Sequence, residues 1–397
     1  MASALRQAEL ALVEAAGGGD AGLLDVMLKS GHVNVNATAD ELPKRSAILE
    51  AAMNGHLTCL KLLVGKGALI GSTDEDGMTA FHYSCAGGHE DCADALLASG
   101  CDIAAKTTTG EETGFDLATK GGHDAVLRAM DVMMIKAAKD GSLDQMRKYL
   151  DTGVATDALN VDDGSTALMQ ASGARSVDCL RELLQRGAEH SVSDSQGASA
   201  LIYASKGGSS EAVELLLGAG ADVSATDKHG MTPFLASCAK GHAECTTVLF
   251  HAGSDAGAKN GDGDTAFSLA SNGGHQEVKA ALELLLIEAG KQGNEAQVGA
   301  LVRGGVDANT VSVVDNGRTV LILAAAAGSA ECVDIVLEHG DEDLKDKADQ
   351  DGSTAFHVSC AGGHCDCAKA LVKVGTDVTA TDNDGKTGWA LASAAGH

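Results

Sequence analysis

Aromatic residues, prolines and long apolar runs are scarce in this chain of 397 residues. Phe, Tyr and Trp make up 3% of it, so a core must be built from Ala, Leu, Val, Ile and Cys, which suits closely packed short helices. Two prolines beside 50 glycines favour many tight turns over an unstructured linker. No run approaches the roughly 18 apolar residues of a membrane span, and the amino terminus lacks the apolar segment of a signal peptide. We expect a soluble cytoplasmic protein, with the nucleus as the alternative compartment and no direct membrane insertion.

Basic residues are also few: 29 Lys and Arg stand against 56 Asp and Glu, a net charge of −27. Such a chain repels phosphate backbones and anionic lipids, which argues against nucleic acid as a partner. Basic protein segments fit this charge better. The alternative is that the acids only keep a long surface hydrated.

The eleven cysteines are spread along the chain and do not form the compact framework of a small secreted domain. A reducing compartment is therefore expected. Redox or metal sensing through these cysteines is a further hypothesis.

A short pattern, Asp-x-x-Gly-x-Thr, returns along the chain at a near-constant interval, as in residues 74–79, 227–232 and 349–354. Its glycine and the equivalent turn glycines are Gly77, Gly110, Gly164, Gly197, Gly230, Gly263, Gly317, Gly352 and Gly385. Their successive separations are 33, 54, 33, 33, 33, 54, 35 and 33 residues. A period near 33 indicates a stack of small units in place of one globular core.

Residues 74–107 show what one unit should contain. The Asp-x-x-Gly sequence favours a turn, and Thr79 stands where a helix N-cap belongs. A first helix should follow and end at Gly87-Gly88. A second helix should run from about Glu90 to Ala98 and bury Cys92, Ala93, Leu96 and Leu97.

This unit resembles an ankyrin repeat. Residues 227–234 (DKHGMTPF) match the front half of the family pattern, and residues 211–223 (EAVELLLGAGADV) match the back half. The resemblance covers nearly the whole chain and implies an all-α solenoid with β-turn or hairpin fingers. It also implies a non-enzymatic scaffold or adaptor that binds partner proteins through finger turns and a concave helix face, without a cofactor.

We expect one continuous, monomeric array over residues 1–397, with about twelve helix-turn-helix units and a truncated thirteenth. The approximate unit starts are residues 5, 41, 74, 108, 132, 160, 194, 227, 260, 285, 314, 349 and 382. Residues 134–141 and 286–293 lack the turn and should continue a preceding helix, which explains both separations of 54 residues. Because the chain stops inside a helix pair, we also expect a fragment of a longer protein, such as the targeting or regulatory region of an enzyme or channel.

Several patterns that suggest chemistry have a simpler structural interpretation. The histidines that follow the inter-helix glycine should tie neighbouring loops by hydrogen bonds: His56, His89, His123, His242, His275, His364 and His397. Cys360, His364, Cys365 and Cys367 have the spacing of zinc ligands, but Cys360 and Cys367 occupy core positions of ordinary repeats. The acidic turns lack the remaining ligands of a calcium loop. The Gly17-x-Gly19-x-x-Gly22 sequence has the letters of a dinucleotide-binding loop, but it lacks the strand that precedes such a loop. No catalytic arrangement stands outside the repeats, so we predict no enzyme, metal site or cofactor.

The candidate binding residues are the variable finger positions that the resemblance implies: Glu75, Asp76, Met78, Asp162, Asp163, Ser195, Gln196, Lys228, His229, Met231, Asp262, Asp264, Gln350, Asp351, Asn383 and Asp384. The first-helix positions beside them are mostly Ala or Gly, which predicts a shallow groove rimmed with acid. We expect it to hold a basic or extended protein segment, with Met78 and Met231 as adaptable apolar contacts. The alternative is that these acids are ordinary hydrated turn residues.

Overall fold

The computed structural model describes residues 2–38 and 44–397. The expected unit start at residue 41 lies outside these ranges. Within them the helices are α1 (Ala2–Gly17), α2 (Ala21–Ser30), α3 (Ala47–Met53), α4 (Leu57–Gly65), α5 (Ala80–Gly87), α6 (Glu90–Ala98), α7 (Gly114–Gly121), α8 (Asp124–Lys139), α9 (Leu143–Thr152), α10 (Ala167–Gly173), α11 (Val177–Gln185), α12 (Ala200–Gly207), α13 (Ser210–Gly218), α14 (Pro233–Lys240), α15 (Ala243–His251), α16 (Ala266–Asn272), α17 (Gln276–Gln292), α18 (Glu295–Arg303), α19 (Val320–Ala327), α20 (Ala330–His339), α21 (Ala355–Ala361), α22 (Cys365–Lys373) and α23 (Gly388–Ala395), with a 3-10 helix at Glu342–Asp346. Strands β1 (Val311–Ser312) and β2 (Arg318–Thr319) form an antiparallel hairpin.

The predicted all-α class is confirmed, because short helices joined in pairs account for most of the described chain. The pair of α5 and α6 shows how the sequence sets the limits of these short helices. The Thr79 side chain accepts a hydrogen bond from His82 N and so caps α5, and Gly88 ends that helix in the left-handed conformation. The second helix spans Glu90–Ala98, as the sequence predicts, and its buried residues include Cys92 and Leu96.

The chain divides into two compact units, one of residues 1–171 and 176–189 and the other of residues 172–175 and 190–397. In the first unit, the first helices of successive pairs pack on each other from α1 through α3 and α5 to α7, and the second helices do so from α2 through α4 and α6 to α8. In the second unit, α12, α14 and α16 pack in the same way, as do α17, α19, α21 and α23. Within these series each helix pair therefore buries its apolar side against the next.

Helices α8 and α17 are twice as long as most others, with 16 and 17 residues. The second helix of one pair runs without a turn into the first helix of the next pair, so α17 packs against α15 at one end and α19 at the other. No glycine or proline interrupts α8, and its buried residues continue from Val126 to Ala138. The prediction that residues 134–141 and 286–293 continue a preceding helix is confirmed.

Small residues leave room for the few large core side chains. Phe81 and Phe356 are almost wholly buried in α5 and α21. A Cβ atom at Gly114 would lie 2.7 Å from the Phe81 ring, and one at Gly388 would lie 2.8 Å from the Phe356 ring. These glycines stand at the position that Pro233 occupies in its repeat. A side chain does not fit there because the phenylalanine ring of the preceding helix pair occupies the space.

Hydrogen bonds from histidine side chains join successive pairs, as the sequence analysis predicts, at six of the seven histidines that it names. In six places a histidine Nε2 lies 2.9–3.1 Å from a carbonyl oxygen near the end of the preceding first helix; these pairs are His56 with Gly17, His89 with Met53, His123 with Ala86, His242 with Lys206, His275 with Ala239 and His364 with Ala326. After the turnless unit, Ser176 Oγ donates to Lys139 O at 3.0 Å in the same place.

The glycine before each histidine serves the neighbouring pair. Gly88 has a φ of +69°, and a Cβ atom there would lie 2.5 Å from His123 Nδ1. A side chain would therefore strain the backbone and displace the imidazole ring of the next pair. The Gly-His pattern thus encodes a contact between repeats.

His82 forms a second kind of link. Its Nδ1 accepts from Thr79 N at 3.1 Å, which leaves the proton on Nε2 to donate to Ala105 O at 3.0 Å. The bond from Thr79 N requires the neutral ring, because a protonated imidazole has no acceptor nitrogen, and burial lowers the pKa of His82 below its ordinary value of 6.5.

We predict that His242→Ala lowers the free energy of unfolding by about 1–2 kcal/mol, because the substitution removes a hydrogen bond and leaves Lys206 O without its side-chain donor. Urea unfolding followed by circular dichroism measures the change. His339→Ala is the control, since the exposed His339 bonds only a carbonyl of its own helix. Equal losses in the two variants would contradict a linking role.

We predict that the unfolding free energy falls more steeply with acid in the wild type than in His82→Gln. Because the folded-state pKa of His82 is depressed, the unfolded chain takes up the proton first, and stability is lost as the pH falls below about 6.5. Urea unfolding at about pH 7.5 and about pH 5.5 gives the two slopes. His229→Gln, at an exposed finger position, should keep the wild-type slope; a wild-type slope in His82→Gln would refute the assignment.

Candidate functional site

The finger turns are the segments between helix pairs that carry the recurring Asp or Asn. In six of them the first residue folds the loop, because its side-chain oxygen accepts from the backbone N–H groups two and four positions on at 2.8–3.0 Å. These residues are Asp74, Asp194, Asp227, Asn260, Asp349 and Asp382. The two residues that follow each of them are consequently exposed.

Backbone hydrogen bonds connect neighbouring finger turns into rows. The N–H of one finger donates to the carbonyl of the preceding finger at 2.7–3.0 Å, in the pairs Thr108 to Asp76, Lys228 to Gln196, Gly261 to His229, Gln350 to Asn316 and Asn383 to Asp351. These bonds fix the spacing of the exposed side chains without using them. A row of this kind presents a pre-organised surface.

Most of the predicted binding residues are exposed on finger turns. The exposed ones are Glu75, Asp76, Asp162, Ser195, Gln196, Lys228, His229, Asp262, Gln350, Asp351, Asn383 and Asp384, and the half-buried ones are Met78, Asp163, Met231 and Asp264. The second unit brings residues 195–196, 228–229 and 262 together on one row, and residues 350–351 and 383–384 on another.

Several of these side chains already bond within the chain. Lys228 Nζ donates to Ser195 O at 2.6 Å, and Asn383 Nδ2 donates to Gln350 O at 2.9 Å. Asp351 accepts from Asn316 Nδ2 at 2.6 Å. The sequence pattern did not predict these roles, because each donor lies about one repeat from its acceptor.

The first aspartate of a finger bonds more than its own loop. Asp227 Oδ2 lies 3.3 Å from Lys206 Nζ, and Asp349 Oδ2 lies 3.1 Å from Arg318 Nε; both carboxylates are buried. Lys206 lies in the last turn of α12, and Arg318 lies in β2, directly after a finger turn. Each cation holds the aspartate of the next finger in place. Sequence reasoning missed them.

Tyrosine takes the same role in other fingers. Tyr203 OH donates to Asp194 Oδ2 at 2.9 Å, and Tyr83 OH donates to Asp74. Burial and the Asp74 carboxylate raise the pKa of Tyr83. Each tyrosine stands four residues after the N-cap of its helix, a spacing that could have shown that its side chain returns to the finger.

The first-helix face beside the fingers is mostly small, as predicted, with exposed residues such as Ala86, Gly87, Ala326 and Ala361. Two larger features interrupt it. The Arg45 guanidinium carbon lies 5.5 Å from the Tyr83 ring centroid. In the second unit, Tyr203 and Met231 pack against the buried cluster of Ala198, Ile202 and Ala236.

The cysteines of the zinc-like sequence are separated by burial. Cys360 and Cys367 are core residues, as predicted, whereas Cys365 is exposed. Burial raises the pKa of Cys367 to about 11 and that of Cys238 to about 12, so both thiols are protonated at neutral pH. Within residues 2–38 and 44–397, no three His, Cys, Asp or Glu side chains are grouped to hold a metal ion. No helix in the same ranges has both the length and the apolar character needed to cross a membrane.

Sequence comparison matches this chain to the family described as "Ankyrin repeats (3 copies)" over residues 12–107, 134–227 and 285–382. The family described as "Ankyrin repeats (many copies)" matches residues 211–250. Together these segments cover well over half of the chain.

The chain is also similar to several characterised proteins. It is 30% identical over 103 residues to protein phosphatase 1 regulatory subunit 27 of Homo sapiens, an alignment that covers 26% of this chain and 65% of that protein. It is 31% identical over 97 residues to E3 ubiquitin-protein ligase KEG of Arabidopsis thaliana, covering 24% of this chain and 6% of the ligase. For the inhibitor of Bruton tyrosine kinase of Xenopus laevis, the identity is 36% over 80 residues, 20% of this chain and 6% of the inhibitor.

The aligned segments span less than two thirds of each of these relatives. The chain belongs to the ankyrin-repeat family, whose repeats mediate protein–protein interaction.

Proposed function

We propose that this chain is a non-enzymatic scaffold or adaptor that binds a basic or extended segment of a partner protein through its finger turns and the adjoining first-helix face. The observation that carries the proposal is the linked rows of fingers, which hold exposed carboxylates at fixed spacing. Exposed acids on these turns are Glu75, Asp76, Asp162, Asp262, Asp351 and Asp384. Fixed charges of one sign attract a segment of the opposite sign and speed its association.

The two fingers with residues 195–196 and 228–229 have a different character. Their outward side chains are neutral or basic, the acid of that row being Asp262 on the next finger, and Tyr203 and Met231 form a half-buried apolar patch beside them. We propose that this patch contacts an apolar residue of the partner, because aromatic and methionine side chains are favoured at interface centres. The acidic fingers on either side in sequence would then contact basic residues.

The names of the relatives support a regulatory binding role over catalysis, since one is a phosphatase regulatory subunit and another a kinase inhibitor. We further propose that residues 1–397 act as a single continuous monomeric array without a cofactor. The high net negative charge favours protein over nucleic acid as the partner. The buried thiols suit a reducing compartment such as the cytoplasm.

A second candidate function is that of a targeting or regulatory region within a longer multidomain protein, such as an enzyme or a channel. The alignment with the ubiquitin ligase favours it, because the matched repeats are only 6% of that protein. Immunoblotting of the native protein distinguishes a polypeptide of this length from a longer one.

We predict that peptides selected on the wild-type chain from a phage-displayed random library carry a net positive charge. Changing the six exposed finger acids to Asn or Gln should weaken their binding about tenfold, because each exposed ion pair contributes roughly 0.2–1 kcal/mol. Isothermal titration calorimetry measures the affinities.

The matched control neutralises six exposed acids of second helices, namely Asp124, Glu214, Glu277, Glu331, Asp334 and Glu338. It changes the net charge equally and should leave binding within about twofold of wild type. Selected peptides without net positive charge, or equal weakening in both variants, would rule out recognition by the finger acids.

A further inference from the structure

A second surface lies in the first compact unit, at the place where α8 replaces a finger turn. A cavity of about 340 Å³ opens between α6 and α8 and is closed on one side by the loop at residue 161. Its lining consists of Glu90, Asp94, Ala98, Arg128, Ala129, Val132, Met133 and Val161. None of these residues is among the candidate finger positions, although Val161 precedes Asp162 in its finger turn.

The fused helix explains why apolar side chains are exposed here. Where a finger turn is present, it separates two pairs; α8 instead continues, so Val132 and Met133 remain on its surface. Val132 is 38% exposed, and Val161 on the next finger is 65% exposed. Together with Ala98 and Ala129 they form an apolar floor.

The same exposed pair returns at the other fused helix, in the second unit. The turnless segments follow copies of one sequence at Thr113 and Thr265, which are 152 residues apart. The same offset relates Val132 to Leu284, which is 61% exposed, and Val161 to Val313, which is 89% exposed. The Lys291–Asp315 ion pair at 2.5 Å ties the hairpin that carries Val313 to α17. Exposed aliphatic residues therefore occupy equivalent sequence positions at both junctions.

Charge distinguishes the first junction from the second. Glu90 and Asp94 lie one turn apart on one face of α6, above Ala98. Burial raises the pKa of Asp94, and the negative charges of Glu90 and Asp91 raise it further. Arg128, on the opposite wall, is exposed.

At the second junction, α15 corresponds to α6, and His242 corresponds to His89. Counted from these histidines, Ala243 and Thr247 replace Glu90 and Asp94. The second junction therefore has the aliphatic pair without the acids.

We propose that the first junction is a pocket for a long basic side chain, lysine or arginine, from a partner protein. The aliphatic stem of that side chain would lie on Ala129, Val132 and Val161, and its cationic head would meet Glu90 and Asp94. A long cation has this dual character, because its methylene groups pack on apolar surface while its charge stays near water or a carboxylate. The exposed Arg128 limits the pocket to a single cation.

Methyl NMR tests the proposal on the full chain. The probes are acetyl-Leu-Arg-Leu-amide and the same peptide with citrulline, the neutral isostere of arginine. The Met133 methyl signal, assigned with Met133→Leu, should shift with the arginine peptide and saturate. The citrulline peptide should bind about fivefold more weakly, since two half-exposed ion pairs are lost.

Two variants separate the parts of the pocket. Glu90→Gln with Asp94→Asn should remove the preference for arginine and leave citrulline binding unchanged, whereas Val132→Ser with Val161→Ser should weaken both peptides. Leu284→Ser with Val313→Ser, the matched change at the second junction, should leave the Met133 titration unaltered. All four of these aliphatic residues are exposed, so the serine variants should fold, which circular dichroism verifies.

The proposal is overturned if the two peptides bind equally, if the arginine peptide leaves Met133 unmoved, or if the Met133 signal shifts with protein concentration alone. The last result would assign the junction to contact with a second copy of the chain. Because no finger acid is changed, these outcomes are independent of the test of the finger surface.

Discussion

Hydrogen bonds from each helix pair to the next set the register on which the candidate interface depends. The apolar contacts between pairs are made largely by Ala, Leu and Cys, and such small side chains pack well without specifying one alignment strongly. The histidine-to-carbonyl bonds supply that alignment on one side of the pairs that they join. The finger backbone bonds and the buried aspartates of the fingers supply it on the other side. Apolar burial thus stabilises the contact between neighbouring helix pairs, and the polar bonds fix how the pairs are aligned.

Much of the fold could be predicted from the sequence because its signals are local. The glycine spacing gave the repeat, Thr79 and Gly88 gave the limits of a helix, and the missing Asp-x-x-Gly sequence gave the two fused helices. The linking histidines were also predictable, since glycine and histidine are adjacent in each copy. A local geometry that recurs from repeat to repeat can therefore be recognised within a single sequence.

The candidate site was harder to predict, because its important contacts join residues about one repeat apart. Nothing near Lys228 indicates that its ammonium group bonds Ser195, and nothing near Arg318 indicates that it neutralises Asp349. The hairpin of β1 and β2 agrees with the expected β-turn or hairpin fingers, but the exposure of Val313 and Val314 at its tip was missed. Such features depend on which side chain the neighbouring repeat supplies.

The two surfaces described above differ in how the repeat generates them. The finger rows result from regular repetition, which places variable side chains on a constant backbone. The junction pocket results from an interruption of that repetition, where a fused helix exposes side chains that a finger would have separated. A protein built from one repeat can therefore present a second type of surface where one of its turns is absent.

Backbone bonds between fingers hold the finger surface in place in the free protein. Amide hydrogen exchange of the free protein tests it at Thr108, Lys228, Gly261, Gln350 and Asn383, whose N–H groups form those bonds. We predict that these five amides exchange at least about a hundredfold more slowly than unstructured peptides, while the neighbouring amide of Glu75, for which no such bond is found, exchanges faster than they do. Exchange of the five amides at the rate of an unstructured peptide would show that the fingers are not pre-organised and would contradict the account.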